Sequence, residues 1–171
     1  IKKQLGYLAE NNPLYEEMYV KEFLLFVAKI HQLNNPQDAV DDVIGKVGLT
    51  PEKGKKIGQL SKGYQQRVGI AQAIIHDPDV LILDEPTSGL DPLQLDEIRT
   101  LIKTLGKNKT VLLSTHIMQE VESICDRIIV IKKGEIVADQ EIKDDLNRSD
   151  EQVIVVAVSY THLTLPTIRS V

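Results

Sequence analysis

The chain has no tryptophan, one cysteine, two methionines and only 4% aromatic residues among its 171. With Cys125 as the sole thiol, neither an intrachain disulfide nor a multi-cysteine metal site can form. No apolar stretch reaches the roughly 18–20 residues that a membrane-spanning helix needs, and the longest candidates, Phe23–Ile30 and Val80–Leu83, are interrupted or short. Basic residues are not in excess: 20 Lys plus Arg against 25 Asp plus Glu give a net charge of −5. That balance argues against a general polyanion binder and leaves room for a local phosphate site. No signal peptide is read in the given residues, and the chain opens on Ile1, so its N-terminus is expected to be a cut. What is present is ordinary globular composition, 42% hydrophobic and 26% charged, at a length that suits one domain or a large piece of one.

Patterning divides the chain into two parts. Gln4–Leu8 reads as the end of a strand, and Glu10-Asn11-Asn12-Pro13 as a loop. From Tyr19, residues Phe23, Leu24, Phe26, Val27, Ile30 and Leu33 recur at helical spacing. A second helix is expected from Pro36 to Val47, with Gly48 ending it, and a third from Ser61 to about His76. After Pro78 the pattern changes. Val80–Leu83 is a continuous apolar run, as expected of a strand buried on both faces. A helix at Pro92–Leu105, a strand at Thr110–Leu113, a helix at Ile117–Ile124 and a hairpin of Ile128–Ile131 with Ile136–Ala138 follow. Strands alternating with helices imply a mostly parallel α/β sheet.

Four short motifs carry chemistry. In LSKGYQQR, Ser61 is a good helix N-cap, and Gly63 lets backbone approach a ligand closely, so the helix start can hold an anion. Val80–Leu83 runs into Asp84-Glu85-Pro86, and ligands of open α/β sheets sit beyond the carboxyl ends of strands. Two adjacent carboxylates there can divide the work, one toward Mg²⁺ and one toward an attacking water. Ser88-Gly89-Leu90-Asp91 is a turn in which Asp91 caps the helix opened by Pro92. Finally, His116 stands at the end of a second core strand. Taken singly, each has an ordinary structural explanation; their order and close spacing do not.

Together these motifs resemble the nucleotide-binding domain of an ABC transporter: LSKGYQQR its signature, LILDEP its Walker B with the catalytic glutamate, SGLD its D-loop, and STH its switch histidine. YLAENNPLYEEMYVKEFL further resembles the bacterial subfamily that includes gliding-motility and drug-efflux exporters. The resemblance implies a partial RecA-like P-loop NTPase core with an inserted helical subdomain, at about 14–77, and an ATPase core at about 78–157. It implies ATP and Mg²⁺ as cofactors, Glu85 and His116 as catalytic residues, and Asp84 and Glu10 toward the metal. Ser61, Lys62, Gly63, Gln65, Asp91 and Glu10 are implied at the nucleotide. Implied partners are a second nucleotide-binding domain and transmembrane permease subunits, with no nucleic acid, at the cytoplasmic face of the bacterial inner membrane. Leu14–Tyr19 would receive a membrane-domain helix. The competing reading, a soluble ABC-type ATPase of DNA repair or translation, fits less well, because only about 50 residues separate Glu10 from Ser61 and one cysteine leaves no zinc insertion.

Four departures qualify the resemblance. The Walker A pattern G-x-x-x-x-G-K-[ST] does not occur; Gly48 to Gly54-Lys55-Lys56 has one spacer too many and no Ser/Thr. The loop is expected upstream of Ile1, and the chain alone is expected to be inactive. Glu10 stands where the Q-loop has glutamine. Lys62 and Tyr64 replace the usual glycine and glutamine of the signature, and both are expected to face loop or solvent. Finally, Val158–Val171 (VSYTHLTLPTIRSV) resembles a translated sequencing adapter and is expected to be a non-native tail.

Overall fold

The computed structural model describes residues 4–142 and 153–158. The helical part comes first after strand β1 (Leu5–Leu8). It comprises α1 (Val20–Ile30), α2 (Pro36–Lys46) and α3 (Lys62–Ile74). The alternating part follows as β2 (Val80–Asp84), α4 (Pro92–Leu105), β3 (Thr110–Ser114), α5 (Met118–Ile124), β4 (Arg127–Lys132), β5 (Glu135–Glu141) and β6 (Val153–Val158).

The helices begin and end where their chemistry dictates. Pro36 opens α2 with φ already set for a helix and no N–H to leave unpaired. Gly48, at φ 71°, closes it: its N–H reaches the Gly45 carbonyl, and Leu49 N–H reaches that of Ile44. Ser61 caps α3 by accepting from Tyr64 N–H at 3.4 Å, and Asp91 caps α4 by accepting from Gln94 N–H at 2.9 Å.

The six strands form one sheet in the order β1-β2-β3-β6-β4-β5. All neighbours run parallel except the hairpin of β4 and β5, whose register shifts between Val130 and Ile131. The parallel register places Leu8 beside Leu83 and Asp84 beside Ser114, so β1, β2 and β3 end together on one edge. One contiguous core runs from the sheet face (Leu81, Leu83, Val111, Leu113) through α4 (Ile98, Ile102) and α3 (Ile70, Ala71) into α1 and α2 (Leu24, Val43). Gly6 is required where β1 crosses α3, because a Cβ there would collide with the Ala73 carbonyl oxygen.

One expectation needs correction, and two further features go beyond the sequence pattern. The apolar run Val80–Leu83 is not buried on both faces: Leu81 and Leu83 are fully buried, whereas Val80 and Ile82 on the opposite face are half-exposed. The pattern is therefore that of a sheet covered on one side among the described residues. Within α1, Phe26 and Ile30 are 44% and 60% exposed, so the apolar stripe is wider than the face the core covers. Third, Val153–Val158 forms a central strand that periodicity did not single out. Of the segment expected to be non-native, Val158 closes this strand, and residues 159–171 lie outside the described residues.

Candidate functional site

The carboxyl ends of β2 and β3 bring together four polar side chains. Ser114 Oγ donates to Asp84 Oδ1 at 2.5 Å and accepts from Glu85 N–H at 3.0 Å. Glu85 N–H also reaches the Ser114 carbonyl at 3.2 Å, so the chain is gripped twice as it leaves β2. There Glu85 adopts φ 46°, in the left-handed region that non-glycine residues avoid. The turn sends its carboxylate to His116, whose Nδ1 lies 2.8 Å from Glu85 Oε1. Glu85 Oε2 is buried with no hydrogen-bond partner among the described residues. His116 is largely exposed, and the hydrogen bond and negative charge of Glu85 raise its pKa above the usual histidine value. The charge of Glu10 adds to that shift, which places Glu10 within electrostatic reach of the same edge.

A second cluster lies where α3 meets α4. Ser61 and Lys62 are exposed at the start of α3, whereas Gly63 is buried. A Cβ on Gly63 would stand 2.6 Å from Gln94 Oε1, and Gln94 Nε2 lies 3.5 Å from Ser61 Oγ. A Cβ on Gly89 would meet Lys62 Nζ, so the LSKG and SGLD segments touch at this glycine, while Gly63 lies against Gln94 of α4. Gln65 turns inward and donates to the Ile57 carbonyl at 3.2 Å. Asp91 is exposed and caps α4. Tyr64 does not face solvent as expected: it packs partly buried against the core, with the Arg67 guanidinium 5.9 Å from its ring centre.

The structure thus joins Asp84, Glu85 and His116 in one network and gathers Ser61, Lys62, Gly63 and Asp91 in another. Sequence reading missed Ser114 and Gln94. Ser114 was within reach, since two five-residue parallel strands in register must pair their last residues, Asp84 and Ser114. Gln94 carried no such signal, because its role depends on how two helices cross. Among the described residues no group of three or more His, Cys, Asp and Glu is arranged to hold a metal, so Asp84 and Glu10 do not make a protein-only cage. A cation shared with substrate phosphates needs only one or two carboxylates. No helix among the described residues is long and apolar enough to cross a membrane.

Comparison with known proteins identifies the family. The sequence profile of the family described as ABC transporter matches residues 1–88, just over half of the chain. An uncharacterized ABC transporter ATP-binding protein of Synechocystis is 38% identical over 160 residues, which cover 90% of this chain and 45% of that protein. The bacitracin transport ATP-binding protein BcrA of Bacillus licheniformis is 41% identical over 138 residues, 80% of this chain and 45% of BcrA. The ABC transporter ATP-binding protein NatA of Bacillus subtilis is 37% identical over 141 residues, 80% of this chain and 57% of NatA. The chain spans about half the length of these relatives. From the profile match and from the ordered motifs on the strand ends and helix starts, the chain belongs to the ABC transporter family, among its ATP-binding proteins.

Proposed function

We propose that the whole protein is the ATP-hydrolysing subunit of an exporter, working as a dimer beneath membrane permease subunits at the cytoplasmic face of the bacterial inner membrane. The observation that carries this reading is the Asp84–Ser114–Glu85–His116 network at the carboxyl ends of adjacent parallel strands. Phosphoryl transfer to water depends on positioning and charge neutralisation, and this edge offers a held carboxylate and a histidine whose pKa is raised. The exposed aromatic residues beside the loop after β1, Tyr15, Tyr19 and Phe26, suit a surface that takes a permease helix. The helical part (about 14–77) would carry that contact, and the remainder to about 157 would carry hydrolysis.

The residues fit Mg²⁺ with ATP. Asp84 offers a carboxylate tied to Ser114, Glu85 has a buried oxygen with no partner among the described residues, and all are hard oxygen donors. Asp84, with Glu10, would hold the metal, whose charge when bound offsets that of the phosphates. Glu85 orients and deprotonates the attacking water. His116 would contact the γ-phosphate, and its raised pKa favours the charged form that suits this place. Ser61 and Gly63, with Lys62 and Gln65 beside them, present the start of α3 to the nucleotide of the opposite subunit, and Asp91 links the two sites.

Glu85→Gln and Asp84→Asn in the full-length protein test this division. Removing the base lowers turnover by about 10²–10⁴-fold. ATP still binds in Glu85→Gln, so that protein accumulates as a nucleotide-bound dimer on gel filtration with Mg-ATP, whereas Asp84→Asn loses nucleotide affinity. A Glu85→Gln protein that hydrolyses normally, or that loses binding as badly as Asp84→Asn, shows that the carboxylates are wrongly assigned.

A further inference from the structure

His116 is exposed and its ring has one partner among the described residues, Glu85, yet the residues on either side of it are fixed. Thr115 is 2% exposed, and its hydroxyl does two jobs: it accepts from Ile117 N–H at 3.1 Å and donates to Glu120 Oε2 at 2.7 Å. Glu120, in the first turn of α5, is fully buried, and its own N–H reaches the Ile117 carbonyl at 3.0 Å. The chain is therefore clamped immediately before and after the histidine.

A cap on this loop does not require the carboxylate, because Thr115 alone satisfies Ile117 N–H. What the carboxylate adds is direction. By accepting the threonine proton it turns a lone pair of that oxygen toward Ile117, which a freely rotating hydroxyl would not keep. A buried carboxylate is costly unless it is paired. Its second oxygen, Oε1, has no hydrogen bond among the described residues; Arg99 Nη2 from α4 stands 4.0 Å from it, while Arg99 Nη1 donates to Asp96 at 3.3 Å. Arg99 Nε is likewise buried without a hydrogen-bond partner among the described residues. Arg99 lies two helical turns beyond Asp91, so the same ion pair ties the SGLD helix to the histidine loop.

Resting on the function proposed above, we propose that Glu120 is a positioning residue for His116: it orients the Thr115 hydroxyl and so sets the histidine against Glu85, with Arg99 as its counter-ion from α4. Neither the motif nor the proposed chemistry assigns a role to the buried Glu120 or to Arg99, which is only partly buried beside it.

The test is Mg-ATP turnover of the full-length protein in His116→Ala, Glu120→Ala, Thr115→Val and Thr115→Ser, with the double variant Glu120→Ala/His116→Ala. Groups that orient metal-binding side chains contribute about 10–100-fold, and the same scale is expected for a group that orients His116. Glu120→Ala and Thr115→Val should each lower kcat by about that factor, with KM for ATP changed less than about twofold, and Thr115→Ser should restore turnover. If Glu120 acts through His116, adding Glu120→Ala to His116→Ala lowers kcat no further. A Glu120→Ala protein that does not fold leaves Thr115→Val, nearly equal in size, to decide on the same criterion. Loss of turnover in His116→Ala, alongside near-normal Glu120→Ala and Thr115→Val, overturns the inference and leaves the proposed function standing. A double variant reduced by the product of the single effects also overturns it. Normal turnover in His116→Ala removes the histidine from the reaction, and the inference falls with that assignment.

Discussion

His116 Nδ1 stands 2.8 Å from Glu85 Oε1, joining two residues that are 31 positions apart in the chain but sit at the ends of neighbouring strands. Hydrogen bonding to Glu85, and then its negative charge, raise the His116 pKa above 6.5. A histidine whose folded pKa is raised stabilises the fold fully below its unfolded value, and that contribution is lost as pH rises through the folded pKa. NMR titration of the ring should therefore give a midpoint above 6.5 in the parent chain. In Glu85→Gln the midpoint should fall back toward 6.5. An unchanged midpoint in that variant would dissociate the pair.

The opposite sign is expected at His76. Its ring stacks on His31, with centres 4.0 Å apart and planes 6° from parallel. Nε2 lies 3.2 Å from the Leu5 carbonyl oxygen, an obligate acceptor, so Nε2 carries the proton. Nδ1 is buried with no partner among the described residues, and a second proton there would find no acceptor. Burial first, and then the neighbouring His31, lower the His76 pKa below 6.5. Its contribution to stability is present above pH 6.5 and is lost as pH falls through the depressed folded value. Thermal melts between pH 7 and 5 should show this acid-side loss, and His76→Gln should flatten it.

Two glycines should respond oppositely to alanine. At Gly6 the added Cβ runs into the Ala73 carbonyl oxygen, which is backbone and cannot turn aside. Overpacking of this kind costs about 1–3 kcal/mol. Gly45, inside α2, has nothing within 4 Å of its Cβ position, and alanine there should gain about 0.5–1 kcal/mol. Urea midpoints of Gly6→Ala and Gly45→Ala should move in opposite directions from the parent.

Arg67 holds three helices together. Nη1 donates to the Val47 carbonyl beyond the end of α2 at 2.6 Å, and Nη2 to Glu97 on α4 at 2.6 Å, from a side chain only 14% exposed. Hydrogen bonds from a charged donor contribute about 1.5–3 kcal/mol. Arg67→Met should destabilise the chain by about that amount in chemical denaturation. Arg67→Lys should recover little of it, because an ammonium cannot reach both acceptors as the planar fork does. Full recovery with lysine would mean that charge alone matters here.

Much of this was legible in the residues. Ser61, Asp91 and Pro92 announce their helix starts, and the strand–Asp-Glu and strand–Ser-Thr-His segments foretell an edge where carboxylates and histidine meet. Three things were not legible. Exposure of Phe26 and Ile30 depends on what covers α1, which no local pattern states. The seat of Val153–Val158 between β3 and β4 depends on strand order, a long-range choice. Finally, the Gln94–Ser61 and Arg99–Glu120 pairs arise only where α4 crosses its neighbours, so spacing along the chain carries no trace of them.

Glu85 leaves its strand at φ 46°, a conformation that costs a non-glycine residue about 1–2 kcal/mol. Its two backbone hydrogen bonds to Ser114 hold it there. Glycine would adopt the same turn freely, so Glu85→Gly is expected to raise the melting temperature while removing the carboxylate. Durability and chemistry thus pull this one position in opposite directions. A screen of this chain that rewarded heat resistance alone would meet Glu85 early, and its winners would be sturdier proteins with an empty strand end.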